Sequence, residues 1–265
     1  MPGYIDYQPV ADIFDAMRIE TIDGMSVADM VGGGYPMPVA AHFMDILATQ
    51  AGLGSGDRVL DIGCGCGRLA AAFTQHIGPH GLYCGVDIIA GLVDFANRHI
   101  TPRYPTFTFL TLDRSNPGYD QWRHDGTSRT IATLEAACEP GSMTLVVATS
   151  LFTHLDTAMA REALAAAARA LAPDGRALIS LFLLDAGTRA LINRGAAAFR
   201  FEHPHTPGVF VHDKANPTGA LAFEHDHFID LLTEAGLYVE RLLCGNWPGR
   251  RHHVSGQDIL VVRKV

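Results

Sequence analysis

Asp61-Ile62-Gly63-Cys64-Gly65-Cys66-Gly67 stands between a short apolar run, Arg58-Val59-Leu60-Asp61, and a helical pattern from Arg68 to Ile77 that Gly78 stops. A strand closing on spaced glycines and opening a helix is the ligand loop of an open parallel sheet, which binds beyond the carboxyl ends of its strands. Glycine lets the backbone turn sharply and approach a ligand, because a Cβ would collide or forbid φ > 0. The first amides of the following helix then face the ligand. A lone Gly-x-Gly is also an ordinary strand-to-helix turn, so the residues around it must carry the argument.

Strand and helix alternate outward from this loop. Leu82 to Val86 reads as a second strand with Asp87 just past its end, and Ala90 to Ile100 as a helix. Thr106 to Leu110, β-branched and aromatic after Pro105, reads as a third strand, followed by a polar insert to about Arg129. Met143 to Thr149 is a fourth strand. Thr157 to Leu171 is an alanine-rich helix ended by Pro173-Asp174-Gly175, and Arg176 to Leu183 is a fifth strand. A helix over 225–235 and strands at Leu237 to Leu243 and Ile259 to Arg263, separated by a Trp-Pro-Gly-Arg loop, close the chain as an edge hairpin. Repeated βαβ units imply a mostly parallel sheet covered on both faces.

Two regions depart from the alternation. Residues 1–36 have weak periodicity and end in Gly32-Gly33-Gly34-Tyr35-Pro36, before a helix primed by Pro38 with Val39, Phe43, Ile46 and Leu47 on one face. Residues 1–55 are read as an N-terminal helical lid. Asp185 to Leu221 holds His203, Pro204, His205, Pro207, His212, Asn216 and Pro217 with little hydrophobic period, so 185–223 is read as a cap bearing the acceptor site. Both belong to one domain over 1–265.

Composition narrows the function. Hydrophobic residues at 48% and charged residues at 18%, without a low-complexity tract, describe an ordered globular chain. The net charge is -8, the lysines are Lys214 and Lys264 alone, and the arginines are scattered, which argues against a nucleic-acid surface. Met1-Pro2-Gly3-Tyr4-Ile5-Asp6 lacks the basic start and apolar run of a secretory signal, and the longest apolar runs are too short for a bilayer span of roughly 20 residues. Five cysteines, two of them inside the glycine loop, fit reduced thiols and a cytoplasmic protein.

Acidic residues recur at successive strand ends: Asp61, Asp87 and Asp113. Asp87 is placed to accept from the ribose hydroxyls of a nucleoside lying over the glycine turn, which fits NAD and S-adenosylmethionine (SAM) equally. The loop separates them, since a dinucleotide fingerprint places a glycine where this chain has Arg68.

Through Val59 to Arg68, Gly85-Val86-Asp87, Ser150-Leu151-Phe152-Thr153-His154-Leu155 and Ala170 to Arg176, the chain resembles the class I SAM-dependent methyltransferases over roughly residues 30–263. Phe182-Leu183-Leu184, Gly245 to Arg250 and Gln257-Asp258-Ile259 resemble a bacterial subgroup associated with glycan or secondary-metabolite modification. The resemblance implies a Rossmann-like sheet of seven mostly parallel strands with an antiparallel edge hairpin. It implies that Asp61 and the backbone of Gly63, Cys64, Gly65, Gly67 and Arg68 hold the methionine part of SAM. Asp87 with Ile88 would hold the ribose, Leu112 with Asp113 the adenine, and Ser150 would complete the cofactor contacts. Asp113 also reads as a solvated turn acid. Thr144 departs from the family, which usually carries aspartate there.

Methyl transfer is an in-line displacement, so alignment in a water-poor pocket is the main requirement. An alcohol acceptor also needs a base. His154, after the fourth strand, is the first candidate, with a structural histidine as the competing reading. Glu224, His225, Asp226 and His227 cluster at a helix start, where capping competes with catalysis; Glu224 is the second catalytic candidate and His225 an acceptor contact. His203 and His205 are read as acceptor contacts in the cap; with the pair His252-His253 they also suggest a metal, but without a third ligand at a recognisable spacing, so no metal is assigned. Trp247 with Arg250 and Arg251 reads as a sugar platform or as an exposed hairpin tip. The expected activity is SAM-dependent methylation of a hydroxyl on a saccharide or other small molecule. An N-methyltransferase, a non-catalytic SAM-binding scaffold and an NAD(P)-dependent oxidoreductase are the alternatives, and a homo-oligomer is left open.

Overall fold

The computed structural model describes residues 5–122 and 126–265. Met1 to Tyr4, part of the N-terminal stretch read for a signal, and Arg123 to Asp125 of the polar insert lie outside the described residues. The chain divides into two compact units, Met1–Leu145 and Val146–Val265.

The first unit begins with α1 (Ala11–Ile19), a hairpin of β1 (Thr21–Ile22) and β2 (Met25–Ser26), the single turn α2 (Val27–Met30) and α3 (Pro36–Gln50). Helix α3 starts at Pro36, where the missing N–H costs nothing. Its buried face is Ala40, Phe43, Met44, Ile46 and Leu47, with Val39 only half-buried, so the expected stripe is rotated slightly. Then come β3 (Arg58–Ile62), α4 (Arg68–Phe73), β4 (Leu82–Asp87), α5 (Ala90–His99), β5 (Phe107–Leu112) and β6 (Thr130–Ile131). Strands β3, β4, β5 and β6 are neighbours in that order, all parallel. Val59 to Ile62 are buried without alternation, as in a strand covered on both faces.

Three details differ from the sequence reading. The α-helix after the glycine loop ends at Phe73 rather than Ile77, and Ile77 and Gly78 turn back so that the Gly78 amide donates to the Ser55 carbonyl at 2.8 Å. Strand β6 emerges from the polar insert, its β-branched Thr130-Ile131 pair too short to show a period. Thr144, in β7 (Met143–Ala148), donates to Asp57 Oδ1 at 2.6 Å and accepts from the Arg58 amide at 2.9 Å, so it fastens the entry to β3.

The second unit contains α6 (Thr157–Ala170), capped by Asp156, then β8 (Leu171–Leu181) and β9 (Leu183–Leu184). Pro173-Asp174-Gly175, read as a helix stop, lies in the leading part of β8. The stretch read as irregular is largely regular. Asp185 and Thr188 form a capping box on α7 (Ala186–Asn193), and β10 (His203–Thr206), β11 (Val209–Val211) and β12 (Leu221–Glu224) join β9 in a four-stranded sheet of order β10-β11-β12-β9. These strands are too short and proline-interrupted to show a period of two. Helix α8 (His225–Glu234) and strands β13 (Leu237–Leu243) and β14 (Asp258–Lys264) end the chain. Strand β14 pairs antiparallel with both β13 and β8, giving the expected hairpin with β13 outermost. A mostly parallel sheet with added antiparallel strands makes the chain α/β.

Candidate functional site

Asp61, one residue from the end of β3, is 1% exposed. The parallel register sets Val59 beside Tyr83 and Asp61 beside Gly85, so Tyr83 is the diagonal neighbour of Asp61. Its hydroxyl donates to Asp61 Oδ2. Oδ1 of the same carboxylate is buried and has no partner among the described residues. Burial pushes the Asp61 carboxyl up to about 7, and the nearby charge of Asp87 adds to this; the Tyr83 hydrogen bond and the charge of Arg68 oppose it.

Past Asp61, the Gly63 and Cys64 amides both donate to the Val86 carbonyl, at 2.8 and 3.1 Å, which draws the loop over the end of β4. Gly63, Gly65 and Gly67 all have positive φ. A Cβ on Gly67 would stand 2.7 Å from Ile100 Cδ1, and one on Gly65 would stand 2.7 Å from Val31 Cγ1. The Gly65 amide donates to Asp87 Oδ2 at 2.8 Å, and the Ile89 amide to Asp87 Oδ1 at 2.9 Å. Asp87 therefore ties the glycine loop to the turn after β4. Burial raises its carboxyl while the Ile89, Gly65 and Ile88 amides lower it.

Arg68, the first residue of α4, has its guanidinium pKa lowered by burial, with the charge of Asp61 acting against that. Cys64 and Cys66 are buried thiols, and burial pushes Cys66 up to about 12 and Cys64 well above its ordinary value. Such thiols are poor nucleophiles. Leu112 is buried at the end of β5, whereas Asp113 is exposed and its amide donates to the Ile131 carbonyl at 2.9 Å. Two tyrosines that sequence reasoning missed lie close to these acids. Tyr83 is one, and a phenol in a fully buried strand, which needs a hydrogen-bond partner, was the available signal. Tyr119 is the other, its phenol pKa raised by burial and by the charge of Asp87; nothing in its loop sequence pointed to that placement.

In the second unit, Ser150 takes a left-handed φ of 57° while its amide donates to Ser180 Oγ at 2.7 Å. The Ser150 and Ser180 hydroxyls both reach Gln257 Oε1, at 3.3 and 2.6 Å. His154 Nδ1 lies 2.7 Å from the Thr218 carbonyl, and burial lowers the ring's pKa below the ordinary histidine value. A carbonyl can only accept, so Nδ1 carries the proton and the lone pair is on Nε2.

The other candidates disperse. Glu224 stands at the N-cap position of α8 without a side-chain capping bond and forms an exposed ion pair with Arg189 at 3.1 Å, while Asp226 lies in the first turn of the helix. His225 Nδ1 meets Asp226 Oδ1 at 2.8 Å, and His227 Nε2 meets Thr157 Oγ1 at 3.1 Å. His203 and His205 sit on β10, half-buried and exposed; His252 and His253 are exposed, and no metal-binding group occurs among the described residues.

Trp247 is 2% exposed, packed with Phe182 and Phe201, and its Nε1–H donates to Asp258 Oδ2 at 2.7 Å. Arg250 Nη1 donates to Asp258 Oδ1 at 2.9 Å. Both the sugar-platform and the hairpin-tip readings of Trp247 are thereby corrected: the ring is interior, and Trp247 and Arg250 anchor the β13–β14 connection to Asp258. The tryptophan is the largest apolar group there, and its single donor fits a carboxylate held under it.

A family model described as a methyltransferase domain matches residues 39–241. The chain belongs to that methyltransferase family. An aklanonic acid methyltransferase from Streptomyces sp. (strain C5) is 30% identical over 95 residues, 36% of this chain and 41% of that protein. A protein-L-isoaspartate O-methyltransferase from Archaeoglobus fulgidus is 36% identical over 69 residues, 26% of this chain and 32% of that protein. The chain thus spans less than half the length of these curated relatives. The crystal structure of a magnesium protoporphyrin IX methyltransferase from Synechocystis with bound S-adenosylhomocysteine (SAH) superposes with a TM-score of 0.51 at 20% identity, covering 97% of this chain and 96% of that one. It shares the fold.

SAM is the expected cofactor of a methyltransferase of this class, and the first unit fits it. The unpaired Asp61 Oδ1 suits an ammonium, since a buried acceptor without a donor costs about 1–3 kcal/mol until one arrives. The glycine loop admits close backbone approach, and Asp87 keeps acceptor capacity beyond its amide bonds.

Proposed function

We propose that this protein transfers a methyl group from SAM to a hydroxyl of a small molecule. The observation that carries the reading is the buried, half-paired Asp61 carboxylate at the mouth of a glycine loop tied down by Asp87. Asp61 would hold the methionine ammonium, Arg68 the methionine carboxylate and Asp87 the ribose hydroxyls. Leu112, with Tyr119 in place of the exposed Asp113, would border the adenine. Bound there, SAM supplies an electrophilic methyl on a sulfonium.

An oxygen acceptor is supported by His154, neutral and protonated on Nδ1, which is the tautomer that can accept a hydroxyl proton at Nε2. A relative named as an O-methyltransferase points the same way. A saccharide or secondary metabolite is the acceptor class, with the helix and sheet over 185–223 shaping its site. Among the described residues no helix is long and apolar enough to cross a membrane.

The test is transfer of isotope-labelled methyl from SAM into a fractionated metabolite extract, read by mass spectrometry, with Asp61→Ala as control. Labelled O-methyl products dependent on Asp61 support the proposal. Labelled N-methyl products would replace the oxygen assignment, and SAM binding without transfer across broad extracts would identify a scaffold.

A further inference from the structure

Tyr83 has an unusual position for a phenol. It is fully buried in β4, stacked on Phe107 at 5.1 Å between ring centroids and tilted against Phe73 and Phe109. In that apolar cage its hydroxyl has Asp61 Oδ2 as its acceptor. The ring fixes the hydroxyl, and the hydroxyl fixes one oxygen of the carboxylate, which sets where the other oxygen points.

We infer that Tyr83 is a positioning residue for the methyl donor: by donating to Asp61 Oδ2 it orients that carboxylate and presents the unpaired Oδ1 to the ammonium of the cofactor's methionine part. The inference rests on the reading of Asp61 as the ammonium partner. The groups that face Asp61 are Tyr83 and Cys84 from β4, Cys64 and Asp87 from the loop and strand end, and Arg68 from α4. Of these, Tyr83 and Arg68 favour the ionised carboxylate, while burial and Asp87 oppose it. Arg68 acts through its charge, so Tyr83 is the group that supplies direction. A carboxyl balanced in this way near neutrality loses its ion-pairing form readily once the donated bond is removed.

The test compares SAH with 5′-methylthioadenosine, which lacks the amino-acid part. Affinities for both are measured by calorimetry from pH 6 to 8.5 on the wild-type chain and on Tyr83→Phe, which keeps the ring and its stacking. In Tyr83→Phe the Asp61 carboxyl titrates higher, so SAH binding weakens about tenfold near pH 7, the size of one charge-assisted hydrogen bond. The deficit shrinks as pH rises and Asp61 ionises. Methylthioadenosine binds both proteins alike at every pH. A deficit constant across pH, or shared equally by methylthioadenosine, overturns the inference and leaves Tyr83 a packing residue. Wild-type protein that binds methylthioadenosine and SAH equally well refutes the Asp61 reading instead, and wild-type protein that binds neither refutes the donor site. Should Tyr83→Phe not fold, 3-fluorotyrosine placed at position 83 is a stronger donor and must shift the SAH profile the opposite way, toward lower pH; an unshifted profile counts against the inference.

Discussion

Val31 Cγ1 stands 2.7 Å from the point a Cβ on Gly65 would occupy, so the N-terminal segment packs directly on the glycine loop. Gly65→Ala then carries two penalties, a clash and a side chain at φ +53°. Overpacking costs about 1–3 kcal/mol. The alanine variant is expected to melt lower than wild type and to lose most of its stabilisation by SAH. Adding Val31→Ala removes the clash and leaves the backbone strain, so the double variant should recover part of the melting temperature. Differential scanning fluorimetry with and without SAH reads both, and no recovery at all would mean that Val31 is not what confines Gly65.

Asp61 gives the chain a pH dependence whose sign follows from burial. Burial pushes the folded-state carboxyl up to about 7 from its ordinary 3.8, so between those values the native state holds a proton that the unfolded chain has released. The contribution of Asp61 to stability is therefore greatest below the unfolded value and is lost as pH rises toward 7. Asp61→Asn removes this liability. At pH 8 the cofactor-free variant should melt higher than wild type, by about 2–4 °C per kcal/mol regained, while its affinity for SAH falls. A variant that melts lower at pH 8 would show that the carboxylate, though half-paired, is net stabilising.

The contrast between these two acids explains what could be read in advance. Asp61 and Asp87 were legible because each ends a strand whose hydrophobic run and following glycines are local features of the sequence. That Asp87 spends its oxygens on the Gly65 and Ile89 amides was not, since it depends on how the loop folds back over β4. Tyr83 was missed for a related reason, because its link to Asp61 needs the register of β3 on β4. The alternation of strands and helices was visible from Arg58 onward, with errors at ends set by tertiary bonds, such as Gly78 to Ser55. The sheet of β9 to β12 was invisible because strands of two to four residues carry no usable period.

Trp247 shows how a motif can mislead when burial is unknown. The Trp-Pro-Gly-Arg loop has the composition of an exposed binding tip, yet Asp258 beneath it accepts from the Gly245 and Leu183 amides, Trp247 Nε1 and Arg250 Nη1. Asp258→Ala leaves those donors without their acceptor, and breaking such a buried charge pair costs about 3–5 kcal/mol. The expected outcome is a large fall in melting temperature. Trp247→Phe, which keeps an apolar ring and loses one N–H, should cost less. If Trp247→Phe instead raised the KM for an acceptor at unchanged melting temperature, the ring would be a substrate platform after all.

The role assigned to His154 separates cleanly from that of Asp61 in kinetics. Burial lowers the His154 pKa, so the ring is already neutral at pH 7, and acceptor deprotonation should fail only below its ordinary value of 6.5. At saturating SAM, kcat is expected to be flat above neutrality and to fall in acid with a single protonation, while the titration of Asp61 moves the KM for SAM. His154→Asn can still donate to the Thr218 carbonyl but cannot take a proton at neutral pH. A general base contributes about 10²–10⁴-fold, so a loss of that order in kcat with an unchanged melting temperature is expected. If the asparagine variant turns over like wild type, the bond from His154 to Thr218 is structural, and the acceptor must be one that reaches the site already deprotonated.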